Sequence, residues 1–437
     1  MFAQGPHTLP ATQDASMSRD QSSPVSPAVT GTMAASGTNL IQAATAAAWV
    51  VVRKNLSERG IAASIEGYPQ VWMRDTVITC LGAVSDRQPE MIDVLRRSLA
   101  SLAAGQDRFG QLPFLIHIAD GRTEFGSSDA NPWFAIGCAV LLDASGDAEW
   151  YRQHMDRIVH ALDWCESRDV QRCGLMESGE CADWADLLSH HGKVLFPNVL
   201  YAHALRVTAE RFATLGHPAT ARLQARHQLV REALRQAFWV APFGTTVDDQ
   251  THQRVRQLAN ITLRARRYFL PWIGTFDFGD RLDVAGNLLA ILSGVADPSQ
   301  ANAILDYIDG VGLNRPYPVQ VYYPAIRPGD ADWRDYYKIW DANTPHHYHN
   351  GGIWPWVGGA YIAALVRMGR RSEAEAHLAR LAEAVMQGSQ PGEFNEWLHG
   401  QSGRPMGARF QAWSAGMFIY ARHAFDHGDC IGFPAIP

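Results

Sequence analysis

The segment Pro89-Glu-Met-Ile-Asp-Val-Leu-Arg-Arg-Ser-Leu-Ala-Ser-Leu-Ala103 carries the pattern that decides the fold class. Four of its apolar residues recur at helical spacing and share one face: Ile92, Leu95, Leu99 and Leu102. The same pattern predicts helices over 133–142, 223–238, 285–292 and 413–424, and Ser372-Glu-Ala-Glu375 has the spacing of a capping box that opens another. Strand patterns are few, and Pro318–Tyr323 is the best of them. The sequence therefore predicts an all-α protein.

Long loops rich in glycine, proline and aromatic residues separate the predicted helices. The main ones cover residues 105–113, 315–323, 341–356 and 394–406. Loops on a rigid scaffold are where binding and catalytic groups concentrate, so we predict an α/α toroid whose loops form a cleft at one end. Residues 1–38 hold few large apolar side chains and are predicted to be a disordered tail. Residues 39–437 are expected to form one catalytic domain.

Composition excludes several classes of function. The net charge is −6 and the pI about 6.3, so the sequence carries no electrostatic footprint for nucleic acid or an anionic membrane surface. No apolar run reaches the ~18 residues of a membrane span, and no secretory signal is visible, which predicts a cytoplasmic protein. The six cysteines form no C-x-x-C pair, which argues against a zinc or redox motif.

Two acidic segments flanked by tryptophan carry the chemistry: Asp183-Trp-Ala-Asp186 and Asn395-Glu-Trp-Leu-His-Gly400. Aromatic neighbours lower the local dielectric and offer flat faces. That combination suits a sugar site, in which one carboxyl group stays protonated while another stays ionised. Carboxyl pairs are common in any sequence, and here Asp183 and Glu393 compete with Asp186 and Glu396. The segments favour a glycoside hydrolase.

Two further segments have both a structural and a binding interpretation. Trp72-Met-Arg74-Asp75 offers bidentate donors, acceptors and a stacking face for a pyranose, or else an Arg–Asp pair that caps the helix starting near Thr76. Asp129 precedes an apolar helix, where it either caps the helix or points into the cleft to hold sugar hydroxyls.

The segment His346-His-Tyr-His-Asn-Gly-Gly-Ile-Trp-Pro-Trp356 contains three histidines, which raises the question of a metal site. No acidic ligand lies among them, and Gly-Gly followed by Trp-Pro predicts close backbone approach and a turn into a helix. We therefore predict no metal and no cofactor. A sugar-facing loop in which His349 and Asn350 form hydrogen bonds is the favoured interpretation.

These motifs together resemble a known group of enzymes. In chain order they are Val71–Asp75, Ser128–Ala130, the Asp186 segment with Leu200–Leu205, Leu282–Leu288, Tyr323–Ile326, Tyr348–Pro355, Glu396–Gly400 and Gln411–Ser414. The same series is found in the neutral/alkaline invertases and in the glucosidase domain of glycogen-debranching enzymes. The resemblance extends over roughly residues 40–425, and Tyr-His-Asn-Gly-Gly with Trp-Pro is its most specific part.

The resemblance implies an (α/α)6 barrel and an inverting mechanism, with Asp186 as general acid and Glu396 as general base. Residues at positions that hold the sugar ring in the family are Trp72, Arg74, Asp75, Asp129, His349, Asn350 and Gln411. The other candidate substrate-binding residues are aromatic side chains of the same motifs: Trp184, Tyr348, Trp354, Trp397 and Trp413. Trp354, Trp356 and Trp397 are expected to stack on the leaving group, and Asp183 to face solvent or a helix terminus.

The substrate is expected to be a small α-glucoside that is cleaved from its non-reducing end. The invertases have arginine where this chain has Leu187, and tyrosine where it has Trp397, so Trp397-Leu-His-Gly400 favours an amylo-α-1,6-glucosidase-like activity on a glucose-linked oligosaccharide over sucrose. An isomerase or epimerase on the same toroid would use a His pair as acid and base. A carbohydrate-binding toroid without catalysis would lack one of the two acids.

Overall fold

The computed structural model describes residues 30–240, 258–259, 261–263 and 266–435. Twelve of the α-helices in these residues form two concentric rings. The inner ring consists of α2 Met73–Ala83, α4 Ala130–Ser145, α6 Leu195–Leu215, α8 Val284–Ser293, α10 Pro355–Arg367 and α12 Ala412–His427. The outer ring consists of α1 Thr30–Lys54, α3 Pro89–Ala103, α5 Ala148–Ser167, α7 Thr220–Phe238, α9 Pro298–Gly310 and α11 Arg371–Val385.

The inner ring closes on itself. Each inner helix packs against the next one along the chain, and α12 packs against α2. The sequence explains the two rings, since every residue of α2 and α8 is buried whereas α3 buries a single apolar stripe. The predicted helices all lie within observed ones, and the fold is the expected (α/α)6 toroid.

Short strands connect these helices. They are β1 Gln70–Trp72, β2 Leu115–His117, β3 Thr123–Glu124, β4 Lys193–Val194, β5 Trp272–Ile273, β6 Leu282–Asp283, β7 Tyr322–Tyr323, β8 Trp397–Leu398 and β9 Pro405–Met406. All pairs are antiparallel: β1 with β2, β2 with β3, β4 with β5, β6 with β7 and β8 with β9. Strands β1, β4 and β6 run directly into inner helices, so the strands and loops gather where the inner helices begin.

The opposite end of the ring is covered by the C-terminal segment 428–435. Phe433 is buried and stacks on His203 of α6 with ring centroids 4.4 Å apart. The Gly432 carbonyl lies 2.7 Å from His203 Nε2, and Arg367 at the end of α10 donates to the Phe433 carbonyl. This end is therefore filled with protein, and the barrel opens at the helix N-termini.

Two sequence-based predictions concern the starts of helices. The capping box at Ser372 is wrong, because α11 begins at Arg371 and Ser372 already lies inside its first turn. The Arg370 guanidinium instead pairs with Glu373 at 2.7 Å. Of the predicted tail, residues 1–29 lie outside the described residues, whereas residues 30–38 belong to α1, which begins at Thr30. We propose a single domain from α1 onward, since one buried apolar cluster extends from Ala44 to Phe433.

None of the helices in the described part of the chain is long and apolar enough to cross a membrane.

Glycines allow the inner helices to approach at backbone distance. A Cβ placed on Gly416 of α12 would lie 2.5 Å from the Thr79 Cα of α2, and one on Gly82 would lie 1.9 Å from the Gly416 carbonyl oxygen. Neither neighbour is the end of a flexible side chain, so neither can yield. The closest contact in the ring therefore requires residues without a side chain.

We predict that Gly416→Ala lowers the free energy of unfolding by about 1–3 kcal/mol, because the new methyl group forces α12 away from α2. Thermal or denaturant unfolding measures the effect. Gly310→Ala is the matched control, since no atom lies within 4 Å of the position that a Cβ would take there, at the end of α9. Equal stability of the two variants would contradict the packing argument.

Candidate active site

The beginning of α2 places two charged side chains at the open end of the barrel. Strand β1 ends at Trp72, which is the N-cap residue of α2, and Arg74 and Asp75 lie in the first turn. Arg74 and Asp75 are both buried, whereas Trp72 is partly exposed and packs its ring 5.2 Å from that of Phe114. The motif therefore supplies two buried charged side chains next to a partly exposed tryptophan.

Asp129 faces the cleft and does not cap its helix. It occupies the N-cap position of α4, yet its side chain accepts no bond from that helix. Its Oδ2 accepts from Arg74 Nη1 at 2.9 Å, and its Oδ1 accepts from the Ser127 hydroxyl. On the neighbouring inner helix, Gln411 at the start of α12 donates to Asp75 Oδ1 at 3.4 Å. The first residues of α2, α4 and α12 thus form one polar cluster.

The Asp186 carboxyl lines the open side of this cluster. Its side chain remains 41% exposed and lies 3.9 Å from His349 Nδ1, which is too far for a hydrogen bond. Burial by the surrounding walls raises the pKa of Asp186 to about 6, against the opposing charge of Arg74. No hydrogen bond joins this carboxyl to another of the described residues, so its oxygens are available to a ligand.

The loop that carries Asp186 is held from the other side. Asn343 Nδ2 donates to the Leu187 carbonyl at 2.7 Å, and the Tyr337 hydroxyl accepts from Ser189 N at 2.9 Å. These bonds come from the segment around the short 3₁₀ helix Asp335–Asp341. They fix the backbone on the C-terminal side of Asp186 and leave its carboxyl unengaged.

Asp183 is buried, which contradicts the expectation that it faces solvent or a helix terminus. Its Oδ1 accepts from Ala185 N at 2.8 Å, so it shapes the turn that leads to Asp186. Burial, with the nearby charge of Asp129, raises the pKa of Asp183 to about 8. Asp183 is therefore a neutral structural acid at pH 7.

Glu396 is buried and immediately precedes β8. Its Oε2 accepts from Ala408 N at 3.0 Å and lies 3.5 Å from the Tyr68 hydroxyl, while its Oε1 lies 3.5 Å from the Tyr348 hydroxyl. Burial raises the pKa of Glu396 to about 8, and the charge of Asp186 adds to the rise. Three donors thus converge on this carboxyl group.

Tyr68 is a site residue that the sequence did not reveal. The Tyr68 hydroxyl contacts Glu396. The charges of Glu396, Asp186 and Asp75 all raise the pKa of this hydroxyl, so Tyr68 lies among the three carboxyl groups. It lies in the polar loop before β1, between a glycine and a proline, and belongs to none of the motifs. Only the fold brings it to Glu396.

The aromatic residues form a packed wall behind the cluster. Trp184 makes edge contacts with His349, Trp354 and Trp356, at centroid distances of 4.9, 5.5 and 5.1 Å. Trp413 stacks on Trp356 at 5.5 Å. The wall supports the carboxyl groups from behind and keeps water away from that side.

Trp354 and Trp356 do not lie at the cleft mouth, so the expectation that they stack on a leaving group is wrong. Their exposed fractions are 0% and 2%, and Trp354 Nε1 donates to the Tyr348 carbonyl. Trp354 instead stacks under His349, with the rings 5.0 Å apart and nearly parallel. Trp354 therefore holds the Tyr348 backbone and packs against the His349 ring.

Asn350 is likewise occupied within the protein. Its Oδ1 accepts from Ile326 N at 2.6 Å, and its Nδ2 donates to the carbonyls of Ile326 and Asn343. No polar atom of this side chain is left for a sugar. We therefore assign Asn350 to bracing the loop that carries Tyr348 and His349, in place of the predicted sugar contact.

Carboxyl groups outnumber basic ones in this pocket. Arg74 is its one paired cation among the described residues, and the pKa of His349 is lowered well below its usual range by burial and by Arg74, which keeps the imidazole neutral. No group of three His, Cys, Asp or Glu side chains in the described ranges is arranged to hold a metal ion. Two of these carboxyl groups, Asp186 and Glu396, are close enough for the charge of Asp186 to raise the pKa of Glu396.

Solved structures share this fold at low sequence identity. The mannosylglycerate hydrolase of Thermus thermophilus, in complex with glucose, matches with a TM-score of 0.65 and 12% identity over 86% of this chain and 99% of its own. A bacterial glucoamylase complexed with acarbose matches with a TM-score of 0.63 and 12% identity over 90% of this chain and 56% of its own. Both matches establish the toroid alone.

Sequence relatives are more specific. The family model described as alkaline and neutral invertase matches residues 250–427. Cytosolic invertase 1 of Oryza sativa subsp. japonica is 24% identical, over 84% of this chain and 73% of its own. The probable alkaline/neutral invertase F of Arabidopsis thaliana is 32% identical over 423 residues, which cover 84% of this chain and 82% of that protein. The chain is therefore a glycoside hydrolase and belongs to the alkaline and neutral invertase family.

Proposed function

We propose that the protein is an inverting, exo-acting glycoside hydrolase that cleaves the α-glucosidic bond of a small glucoside, with Asp186 as general acid and Glu396 as general base. The observation that carries this proposal is the placement of Asp186 and Glu396. They come from distant segments, yet the charge of one raises the pKa of the other, and the hydroxyls of Tyr68 and Tyr348 lie near both.

The roles follow from what each carboxyl group contacts. The donors around Glu396 stabilise its ionised form, which is the form that activates water. The Asp186 oxygens are free of protein partners and face the open side of the pocket, where the glycosidic oxygen of a bound glucoside would accept the proton. Burial raises the pKa of both carboxyl groups, so the pair can hold one proton near neutral pH. The proposed roles require that proton to be on Asp186 when the substrate is bound.

Arg74, Asp75, Asp129 and Gln411 are proposed to hold the terminal glucose. Their polar atoms converge at the starts of three inner helices, and Trp72, Trp413 and Tyr348 border them. Because these residues lie on rigid helix starts, the sugar is held where the two carboxyl groups can reach opposite faces of its ring. An inverting pair leaves room for a water molecule, which calls for carboxyl groups roughly 6.5–9.5 Å apart.

The leaving group has two candidates. The names of the matched relatives favour sucrose. A glucose-linked oligosaccharide is favoured by the local sequence, because Leu187 beside the acid offers no hydrogen-bonding side chain where invertases have arginine, and Trp397 replaces their tyrosine. The Leu187 side chain directly follows Asp186 in the chain and is partly exposed.

A substrate panel tests the reaction. We expect the protein to release free glucose from sucrose, isomaltose or maltose, and NMR at early times to show the β-anomer as first product of an α-glucoside. Retention of the α-configuration would exclude the inverting mechanism. Release of internal fragments from a polymer would exclude an exo-acting site, and no release of monosaccharide from any of the three would leave the isomerase alternative.

The general acid and the general base can be distinguished experimentally, because only a poor leaving group needs a proton from the acid to depart. Asp186→Asn should lower kcat on the disaccharide about 10²–10⁴-fold but retain activity on α-glucosyl fluoride, because fluoride departs with little proton assistance. Glu396→Gln should lose activity on both substrates, since both need activated water. Asp183→Asn is the control, and it should remain active because Asp183 is already neutral at pH 7. The reverse pattern, with fluoride hydrolysis surviving only in Glu396→Gln, would exchange the two roles.

The pH profile should be bell-shaped with a maximum near neutrality. The active form carries one proton on the pair. Below a pH of about 6 both groups are protonated and the base is lost, and above about 8 both are ionised and the acid is lost. Measurement of kcat/KM for sucrose or isomaltose across roughly pH 5 to 9 checks this expectation. A profile that rises or falls steadily across that range would contradict a one-proton pair.

A further inference from the structure

Asp186 lies in the middle of a closed loop. We call residues 178–192 the acid loop. Its ends are joined, since Ser178 N donates to the Gly192 carbonyl at 2.7 Å and Gly192 N donates back to the Ser178 carbonyl at 3.1 Å. Within the loop, Leu188 N donates to the Ala185 carbonyl at 2.9 Å, so Asp186 is the second residue of a tight turn. The backbone of this turn sets the position from which the Asp186 carboxyl group projects.

A buried tyrosine hydroxyl holds the acid loop just after this turn. Tyr337 is fully buried, and its hydroxyl accepts from Ser189 N at 2.9 Å and donates to the Ser189 hydroxyl oxygen at 2.9 Å. The Ser189 hydroxyl in turn donates to the Asp332 carbonyl at 2.9 Å. Burial raises the pKa of Tyr337 to about 12, so its hydroxyl keeps the proton that it donates. Three hydrogen bonds thus connect the acid loop to the segment that contains Asp332 and Tyr337.

Arg281 anchors the partner of the Ser189 hydroxyl. Its guanidinium forms a bidentate pair with the Asp332 carboxylate, with N···O distances of 2.6 and 3.0 Å, and a second ion pair with Asp330 at 2.8 Å. Its Nη1 also donates to the Pro324 carbonyl at 2.9 Å. Arg281 directly precedes β6, which runs into α8, so these charge-assisted bonds tie Asp332 to the inner ring.

This network is separate from the rest of the proposed catalytic apparatus. In the described part of the chain, the side chains of Ser189, Arg281 and Tyr337 form hydrogen bonds with neither Glu396 nor the sugar-holding residues. The Tyr337 ring packs edge-on against that of Trp333, 5.3 Å away. Loss of the Tyr337 hydroxyl would therefore disturb the acid loop and leave the general base and the sugar-holding side in place.

We infer that Tyr337 is a positioning residue for the general acid: through Ser189, its hydroxyl holds the turn that carries Asp186. The inference rests on the proposed function, since it takes Asp186 to be the general acid. A general acid must lie within hydrogen-bond reach of the oxygen that it protonates, and a misplacement of about 1 Å can lower the rate about 10²-fold. Arg281 contributes by fixing Asp332, whose carbonyl accepts from the Ser189 hydroxyl.

Tyr337→Phe tests this inference, because it removes the hydroxyl and keeps the buried ring. We expect kcat on isomaltose or sucrose, whichever the unaltered protein cleaves faster, to fall about tenfold or more. Activity on α-glucosyl fluoride should change less than about twofold, because fluoride departs with little help from the general acid. An effect on the disaccharide no larger than that on the fluoride would overturn the inference.

Tyr361→Phe is the matched control. Tyr361 is also fully buried, and its hydroxyl accepts from Asn314 Nδ2 at 3.3 Å. It lies on α10 with its ring 5.1 Å from that of His377 on α11, so it faces the outer ring of helices. This variant should leave the ratio of disaccharide activity to fluoride activity unchanged. A selective loss on the disaccharide in Tyr361→Phe as well would mean that any buried hydroxyl has this effect, which would overturn the inference.

Ser189→Ala gives the same comparison should Tyr337→Phe fail to fold. It removes the hydroxyl that donates to Asp332 and retains the backbone N–H that donates to Tyr337. The disaccharide activity should again fall more than the fluoride activity. A fall of equal size on both substrates would count against the positioning role.

A double variant shows whether Tyr337 acts through Asp186. If it does, adding Tyr337→Phe to Asp186→Asn should lower the remaining disaccharide activity by less than about twofold, since the group that it positions can no longer donate a proton. A further loss as large as that in the single variant would overturn the inference. If the unaltered protein cleaves neither a disaccharide nor the fluoride, the proposed function fails and the inference fails with it, whereas an unselective loss in an active enzyme overturns the inference alone.

Discussion

The constraint on which the site depends is that six buried helices begin at the same end of a closed ring. Their N-terminal turns carry unpaired backbone N–H groups and a partial positive charge. Buried carboxyl groups are otherwise costly, yet this end of the ring holds Asp75, Asp129 and Asp283 at the starts of α2, α4 and α8. The geometry of the ring therefore makes an acidic pocket tolerable at this end, and the segment that fills the other end leaves the pocket with one entrance.

Helix starts and loops contribute different things to this pocket. The helix starts supply Arg74, Asp75 and Gln411. Because α2 and α12 pack at backbone distance, the backbones of these residues cannot move without disturbing that contact. The loops supply the two proposed catalytic carboxyl groups, and other loops hold them, as Asn343 holds Leu187 and Ala408 holds Glu396. A relative can therefore change its leaving-group side through loop residues while the sugar-holding side stays constant.

The sequence was sufficient for the architecture because helical spacing survives in both rings and the long loops between them are rich in glycine and proline. It also placed the acidic motifs, since a carboxylate beside tryptophan stands out in an apolar chain. It could not tell which way a motif residue faces. Asn350 and Trp354 both belong to the most specific motif. The Asn350 side chain is nevertheless occupied by the backbone of Ile326, 24 residues away, and the Trp354 ring is buried against neighbouring rings such as that of Trp413. Tyr68 was missed because its role depends entirely on a contact with Glu396, which is made by the closed ring and by no local pattern.

Several of the buried carboxyl groups around the pocket have a raised pKa and so need not carry a charge at neutral pH. Burial raises the pKa of Asp75 to about 7, and those of Asp183 and Glu396 to about 8, so several of these groups carry protons at neutral pH. A sugar ring that gains positive charge lowers the pKa of every carboxyl group around it. A carboxyl group that is ionised beside the ring is therefore proposed to stabilise an oxocarbenium-like state more than it stabilises the neutral substrate. A preference of this kind for the transition state is what accelerates a reaction, in contrast to equal binding of both states. The cost of burying the carboxyl groups in the ring is thus linked to the chemistry that they are proposed to perform.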